Sequence, residues 1–323
     1  MRAGLWPMGL ALLTGFGMTL VSMPAFLGWM RRLGFGQSIR EEGPKSHFSK
    51  AGTPTMGGAV LMGAALVGSF WAGQLTGPLV VLWILALGSS AMGATDDLTK
   101  VFKKRNLGLK ARHKLIIQFA LGLGMGLYLV LAQGARSIEV PWVGTLVGAG
   151  WVLLLSLCVV VSTTNAVNLT DGLDGLAAGT VALAALAYAV IGSATGQSEL
   201  AVAAASVVGA CLGFLWFNCY PARVFMGDTG SMGLGGVLAG LALLTRTEFW
   251  LVLIGGVFVA EALSVVFQVV YFKATRGKRI FRMSPLHHHF EAVDPEMRVT
   301  AWFWICGALL ATVGVCGFLG GRP

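Results

Sequence analysis

Long apolar runs separated by short polar connections recur along the whole of this chain. Ten such runs begin near Leu5, Thr55, Pro78, Leu115, Thr145, Leu176, Leu200, Thr229, Phe249 and Thr300. Each approaches the roughly 20 residues that a helix needs to cross a hydrocarbon layer. No water is present in that layer to satisfy backbone N–H and C=O groups, so helices are the form these runs take. The pattern predicts an all-α, polytopic integral membrane protein of about ten transmembrane helices, organised as a single transmembrane domain over 1–323. No clear repeat, low-complexity tract or long linker divides it. The first run is too long for a signal peptide and is followed directly by Arg31-Arg32, so it reads as a retained span.

Composition strengthens the membrane assignment. Apolar residues make up 56% of the chain and charged residues only 11%, against about 25% charged in soluble domains. Mean hydropathy is +0.77. Charge then orients the spans. The odd-numbered connections (30–54, 95–114, 164–175, 218–228 and 272–299) hold 19 of the 23 Lys and Arg, all except Arg2, Arg136, Arg246 and Arg322. Positive loops stay in the cytoplasm, which predicts cytoplasmic odd connections and both termini outside. Connections 164–175 and 218–228 are nearly free of basic residues and follow by alternation. The net charge of +9 is therefore a property of one face, suited to anionic headgroups and phosphorylated substrates. Nucleic acid is excluded as a partner because no soluble domain exists to bind it. The five cysteines lie in or beside apolar runs without a C-x-x-C pair, and read as small hydrophobic side chains.

The polar residues that carry chemistry gather in those same odd connections. Asp96-Asp97 end the third run and open a lysine-rich loop. Adjacent carboxylates suit a divalent cation or a shared proton, although a solvated helix end would look similar. Asn165, Asn168, Asp171 and Asp174 recur every three residues, with Gly172 and Gly175 letting the backbone approach a ligand. An EF-hand begun at Asp171 would need Glu at 182, where Ala182 stands. Asn218 to Asp228 offers an amide, Arg223, Phe225 and an Asp at a helix start, where capping is the plain alternative. A Gly-x-Gly-Asp protease motif fails at Phe225. In His287-His288-His289, one or two side chains are expected to face the site, because three in a row cannot converge on one metal from a regular element. H-E-x-x-H is absent, which disfavours a zinc protease. Lys50 to Gly58 is not a P-loop, and a membrane-entrance turn is its alternative. Glu261, the only acidic residue deep in a span, is a functional candidate by position. A hydrogen bond within the bundle is its expected role, since no chain of ionisable groups accompanies it.

Taken together, Lys50-x-Gly-Thr-Pro-Thr-Met-Gly-Gly, Asp96-Asp97, Asn165-Ala-Val-Asn-Leu-Thr-Asp-Gly-Leu-Asp-Gly, Phe225-Met-Gly-Asp228 and Pro285-Leu-His-His-His-Phe-Glu291 closely resemble the polyprenyl-phosphate N-acetylhexosamine-1-phosphate transferases. The histidine run is the most discriminating, and within that superfamily the chain resembles the bacterial phospho-N-acetylmuramoyl-pentapeptide transferases. The resemblance covers essentially the whole sequence. It implies transfer of phospho-MurNAc-pentapeptide from UDP-MurNAc-pentapeptide to undecaprenyl phosphate, giving lipid I and UMP, with Mg²⁺ as cofactor. It also implies the bacterial inner membrane, a cytoplasm-facing site and a homodimer. By the same match Asp228 would be the metal ligand, and Asp96, Asp97, Asp228 and His289 the catalytic set. Lys50, Asn168, Asp171, Asp174, Asn218 and Phe225 would hold the nucleotide, with Phe225 stacking on uracil. Lys114, His287 and His288 would contact phosphates. Two rivals stand beside this: a relative using UDP-GlcNAc, and a non-catalytic lipid or solute transporter.

Overall fold

The computed structural model describes residues 2–34, 52–103 and 108–321, so Lys50 lies outside the described residues. Each predicted run is largely helical, the ninth in two pieces. They are α1 (Arg2–Leu33), α2 (Gly58–Ala72), α3 (Gly77–Phe102), α4 (Ala111–Leu131), α5 (Ala149–Thr170), α6 (Leu176–Ala194), α7 (Ser198–Asn218) and α8 (Gly227–Leu244), then α9 (Leu251–Ile254) with α10 (Gly256–Ala274), the short α11 (Leu286–Glu291) and α12 (Glu296–Gly320). Start signals are local. The Thr76 hydroxyl accepts the Leu79 N–H at 3.4 Å to cap α3, and Pro78 sits in the first turn, where its missing N–H costs nothing.

Among the described residues, eight helices are long and apolar enough to cross a membrane: α1, α3, α4, α5, α6, α7, α10 and α12. The all-α membrane architecture therefore stands, while α2 and α8 fall outside those eight. Helix α2 has 15 residues. Helix α8 has 18, begins Gly227-Asp228, and is buried from Thr229 to Leu244. It forms the axis of the bundle and packs on α2, α3, α5 and α6. Close approach is built from glycine: a Cβ on Gly58 of α2 would sit 2.2 Å from the Gly230 Cα of α8. Outer helices instead expose large apolar side chains, such as Val21, Ile116, Val270 and Leu309, as a lipid-facing surface requires.

Two features depart from the sequence reading. The fifth run was expected to begin near Thr145, but residues before Ala149 form an antiparallel hairpin, β1 (Ser137–Val140) with β2 (Gly144–Val147), Ser137 pairing Val147. Its Ile, Val and Thr residues favour strand, and their apolarity merges with the helix beyond. The ninth run was expected to be continuous, but it breaks at Gly255 into α9 and α10.

Glu248, in the connection from α8 to α9, lies against the hairpin. The Arg246 guanidinium donates to the Ser137 carbonyl, and its Nε lies 4.0 Å from Glu248 Oε1. Burial pushes the Glu248 carboxyl up from the usual 4.5 to about 7, against the pull of Arg246. A raised carboxyl pKa means that the folded state holds a proton the unfolded chain has lost. Stability is then full below about pH 4.5 and falls as pH rises towards 7. In detergent, the wild-type melting temperature is expected to fall between pH 5 and pH 8, and to fall less in Glu248→Gln. Identical slopes in both proteins would overturn this.

Candidate active site

Helices α3 and α8 meet where one ends and the other begins, and this junction brings distant carboxylates together. Asp96 and Asp97 lie in the last turns of α3, only 1% and 4% exposed, and Asp228 lies in the first turn of α8. One oxygen from each falls within 4.8 Å of the others. The two neighbours on α3 do different work. Asp97 Oδ1 accepts the Asp228 N–H at 3.1 Å, and its Oδ2 accepts the Thr229 N–H at 2.9 Å and hydroxyl at 2.7 Å. The unpaired N–H groups at a helix start need acceptors, and α3 supplies the cap that α8 lacks within its own sequence. Asp228, for which capping was the plain alternative, is thereby freed to face the site. Ser90 adds a bond to the Thr229 carbonyl at 2.8 Å.

Asp96 and Asp228 share two lysines. Lys114 Nζ lies 3.0 Å from Asp96 Oδ1 and 2.8 Å from Asp228 Oδ2. Lys100 Nζ lies 2.7 Å from Asp96 Oδ2 and 3.3 Å from Asp228 Oδ2. Asp96 Oδ1 also accepts the Leu109 N–H at 2.7 Å. Three carboxylates beside two ammonium groups offer hard oxygen donors, and that chemistry fits Mg²⁺. Lys100 is one of the lysines that follow Asp96-Asp97 in the sequence. Its spacing of four residues from Asp96 on one helix face is the signal that identifies it.

The Asn/Asp run divides at the end of α5. Asn165 turns to α4, donating to Gln118 Oε1 at 3.1 Å. Asn168 turns to the site, donating to Asp228 Oδ1 at 3.1 Å and Ser231 Oγ at 2.9 Å. Asp171 follows the helix. Burial and the negative charges of Asp228, Asp97 and Asp174 hold its carboxyl well above the usual range. Asp174, buried, accepts the Ala222 N–H at 2.9 Å. The Asn218 amide accepts the Gly175 N–H at 3.1 Å and donates to the Val224 carbonyl at 2.9 Å. Asp174 and Asn218 thus tie two loops into one floor. Phe225 is held by backbone pairing with the 54–57 segment: its N–H donates to Pro54 O at 2.8 Å, and its carbonyl accepts the Gly57 N–H at 2.9 Å. Its ring is half-buried.

The histidines lie on α11 and point three ways, as successive helical residues must. His287 is buried beside Glu261. His288 Nδ1 pairs with Glu291 Oε2 at 2.9 Å. His289 Nδ1 accepts the Arg282 N–H at 3.1 Å, and its ring packs edge-on to Phe281. Glu261 therefore bonds to the histidine motif and does not stand alone in a span.

Known proteins resemble the chain along its length. Residues 79–246 match the glycosyl transferase family 4 model. A phospho-N-acetylmuramoyl-pentapeptide-transferase of Geobacillus sp. (strain WCH70) is 50% identical over 317 residues, covering 95% of this chain and 97% of that protein. Proteins with the same name from Halalkalibacterium halodurans and Bacillus subtilis (strain 168) are each 47% identical, over 312 and 310 residues. The alignments cover 95% and 94% of this chain, and 96% and 95% of those proteins.

Proposed function

The chain belongs to glycosyl transferase family 4 and to its phospho-N-acetylmuramoyl-pentapeptide transferases, and from that premise we propose that it transfers phospho-MurNAc-pentapeptide from the UDP donor to undecaprenyl phosphate. The observation that carries this is the cluster of Asp96, Asp97 and Asp228 with Lys100 and Lys114, in a bundle whose outer helices suit lipid. The site faces the cytoplasm of a bacterial inner membrane, with both termini outside and the protein a homodimer. The charge asymmetry of the connections supports that orientation.

A phosphate oxygen of the lipid attacks the sugar-linked phosphorus of the donor. A new P–O bond forms, the bond to the UMP oxygen breaks, and UMP and lipid I are the products. Both reactants are anions, so positioning and charge neutralisation carry the catalysis. A lipid phosphomonoester is mostly dianionic near pH 7, its second pKa being about 6, so it needs shielding more than deprotonation. Lys100 and Lys114 supply that shielding by turning from the carboxylates to phosphate oxygens. Asp228, with Asp96 beside it, would hold Mg²⁺, which when bound neutralises the diphosphate of the donor. Both oxygens of Asp97 are engaged at the start of α8, which favours direct attack by the lipid over a covalent intermediate on that residue. Asn168, Asp171, Asp174, Asn218 and Phe225 form the nucleotide floor, with Phe225 under the uracil. The histidines reach the diphosphate.

The test is UMP release by purified protein supplied with UDP-MurNAc-pentapeptide, undecaprenyl phosphate and Mg²⁺. Release is expected, to vanish on chelation by EDTA and to return with added Mg²⁺. Activity that persists through chelation would remove the metal from the scheme. Lipid-linked GlcNAc from UDP-GlcNAc, without lipid I, would replace the donor.

A further inference from the structure

Asp174 and Gly175 are buried in the turn between α5 and α6, and side chains from other elements reach all four of their backbone polar groups. The Asp174 N–H donates to Glu296 Oε1 at 2.7 Å, and its carbonyl accepts the Thr300 hydroxyl at 3.3 Å. The Gly175 N–H donates to the Asn218 amide oxygen at 3.1 Å, and its carbonyl accepts the Trp304 indole N–H at 3.3 Å. Backbone groups in a buried turn need partners, and three of these four come from α12. Positions 296, 300 and 304 are spaced by four, which keeps them on one face of that helix. Thr312, farther along, donates instead to the Ala308 carbonyl of its own helix at 2.8 Å, the usual outlet for a hydroxyl in an apolar helix. The same turn is tied to the histidine helix. Leu173 and Leu176 pack in a small apolar cluster with Val299 and Phe303 of α12, and Leu286 and Phe290 of α11 lie against it. Only residues 292–295 separate α11 from α12.

We propose that Glu296, Thr300 and Trp304 are positioning residues: as one polar stripe on α12 they hold the turn beside Asp171 and Asp174 in the place where it binds the donor's nucleotide, at a set distance from the histidine helix. This rests on the nucleotide floor proposed above. The three side chains act through the backbone of the turn. Asp174 passes the constraint on, because its Oδ2 accepts the Ala222 N–H at 2.9 Å in the segment that leads to Phe225. A donor whose nucleotide lies on the floor and whose diphosphate meets the histidines needs both supports in register, and α12 carries one and adjoins the other.

Two measurements on the full-length protein test it. Glu296→Ala is expected to weaken UMP binding about tenfold, the scale of one intramolecular hydrogen bond. In the transfer assay it is expected to raise the donor KM to the same degree, with kcat and the KM for undecaprenyl phosphate within about threefold of wild type, as loss of ground-state binding to one substrate requires. Glu296→Gln keeps an oxygen that accepts the Asp174 N–H, and is expected to restore UMP binding to within about threefold of wild type. Backbone amide exchange reads the turn without catalysis: in Glu296→Ala the 171–176 segment is expected to exchange about tenfold faster, and in Glu296→Gln at the wild-type rate. Should Glu296→Ala not fold, Thr300→Val combined with Trp304→Phe removes two bonds to the turn while keeping the side-chain shapes, and is expected to weaken UMP binding to the same degree. A Glu296→Ala protein that melts lower but binds UMP like the wild type would overturn the proposal, as would equal rises in KM for the donor and the lipid. If the wild type binds no UMP, the nucleotide reading fails, while amide exchange still decides whether the stripe holds the turn.

Discussion

Asp228→Asn is expected to lower UMP release by about 10³-fold or more, at saturating Mg²⁺ and with both substrates present. The substitution keeps the shape of the side chain and its place in the first turn of α8, so the fold should persist. What it removes is the charge at the centre of the cluster. Asp228 faces Lys114 at 2.8 Å and Lys100 at 3.3 Å, and its other oxygen accepts from Asn168 at 3.1 Å. A neutral amide offers a divalent cation a weaker ligand, and leaves two ammonium groups with Asp96 as their nearest anion. Charge stabilisation in a desolvated site contributes several kcal/mol to a transition state. A loss of about 4 kcal/mol corresponds to that thousandfold. Activity within tenfold of wild type would show that Asp228 is not the metal ligand.

Gly93→Ala should be nearly as damaging, although Gly93 bears no functional group. A Cβ there would lie 2.0 Å from the Asp228 carbonyl oxygen, 2.4 Å from its carbon and 2.7 Å from the Thr229 nitrogen. All three are backbone atoms of the first turn of α8, so no side chain can swing aside to make room. Helix α3 must move away from α8, which loosens the bonds from Asp97 to Asp228 and Thr229. Overpacking of this kind costs about 1–3 kcal/mol in stability. A displacement of about 1 Å at a reacting centre costs roughly a hundredfold in rate. The expected result is a lower melting temperature in detergent with turnover reduced about 100-fold. Gly63→Ala is the control, since a Cβ there meets nothing within 4 Å, and it should leave both quantities unchanged. Equal behaviour of the two variants would mean that the α3–α8 approach does not set the site.

Much of the fold was legible because lipid imposes a simple rule. Apolar runs of spanning length must become helices, and each predicted run is largely helical. The same rule hid the hairpin at 137–147, whose apolar strand residues merge with the helix that follows, and the break at Gly255, where hydropathy does not change. The site was legible as residue types and spacing: Asp96, Asn168 and Asp228, drawn from three separate motifs, form one connected network with Lys114 of the lysine-rich loop. Their division of labour was not legible. Asp96 and Asp97 read as one pair, yet one pairs closely with both Lys100 and Lys114 while the other caps α8, because adjacent helical residues point about 100° apart. Asn165 and Asn168 part in the same way, towards α4 and towards the site.

The sequence by itself determined the membrane class, the order of the helices and the residue types that meet in the site, because helix formation in lipid and the spacing of motifs follow from the order of residues along the chain. Tertiary structure alone decided which carboxylate caps, which lysine neutralises, and that Glu261 reaches His287. Those assignments depend on the angle and distance between helices far apart in the chain, and glycine contacts such as Gly93 against Asp228 fix them within an ångström.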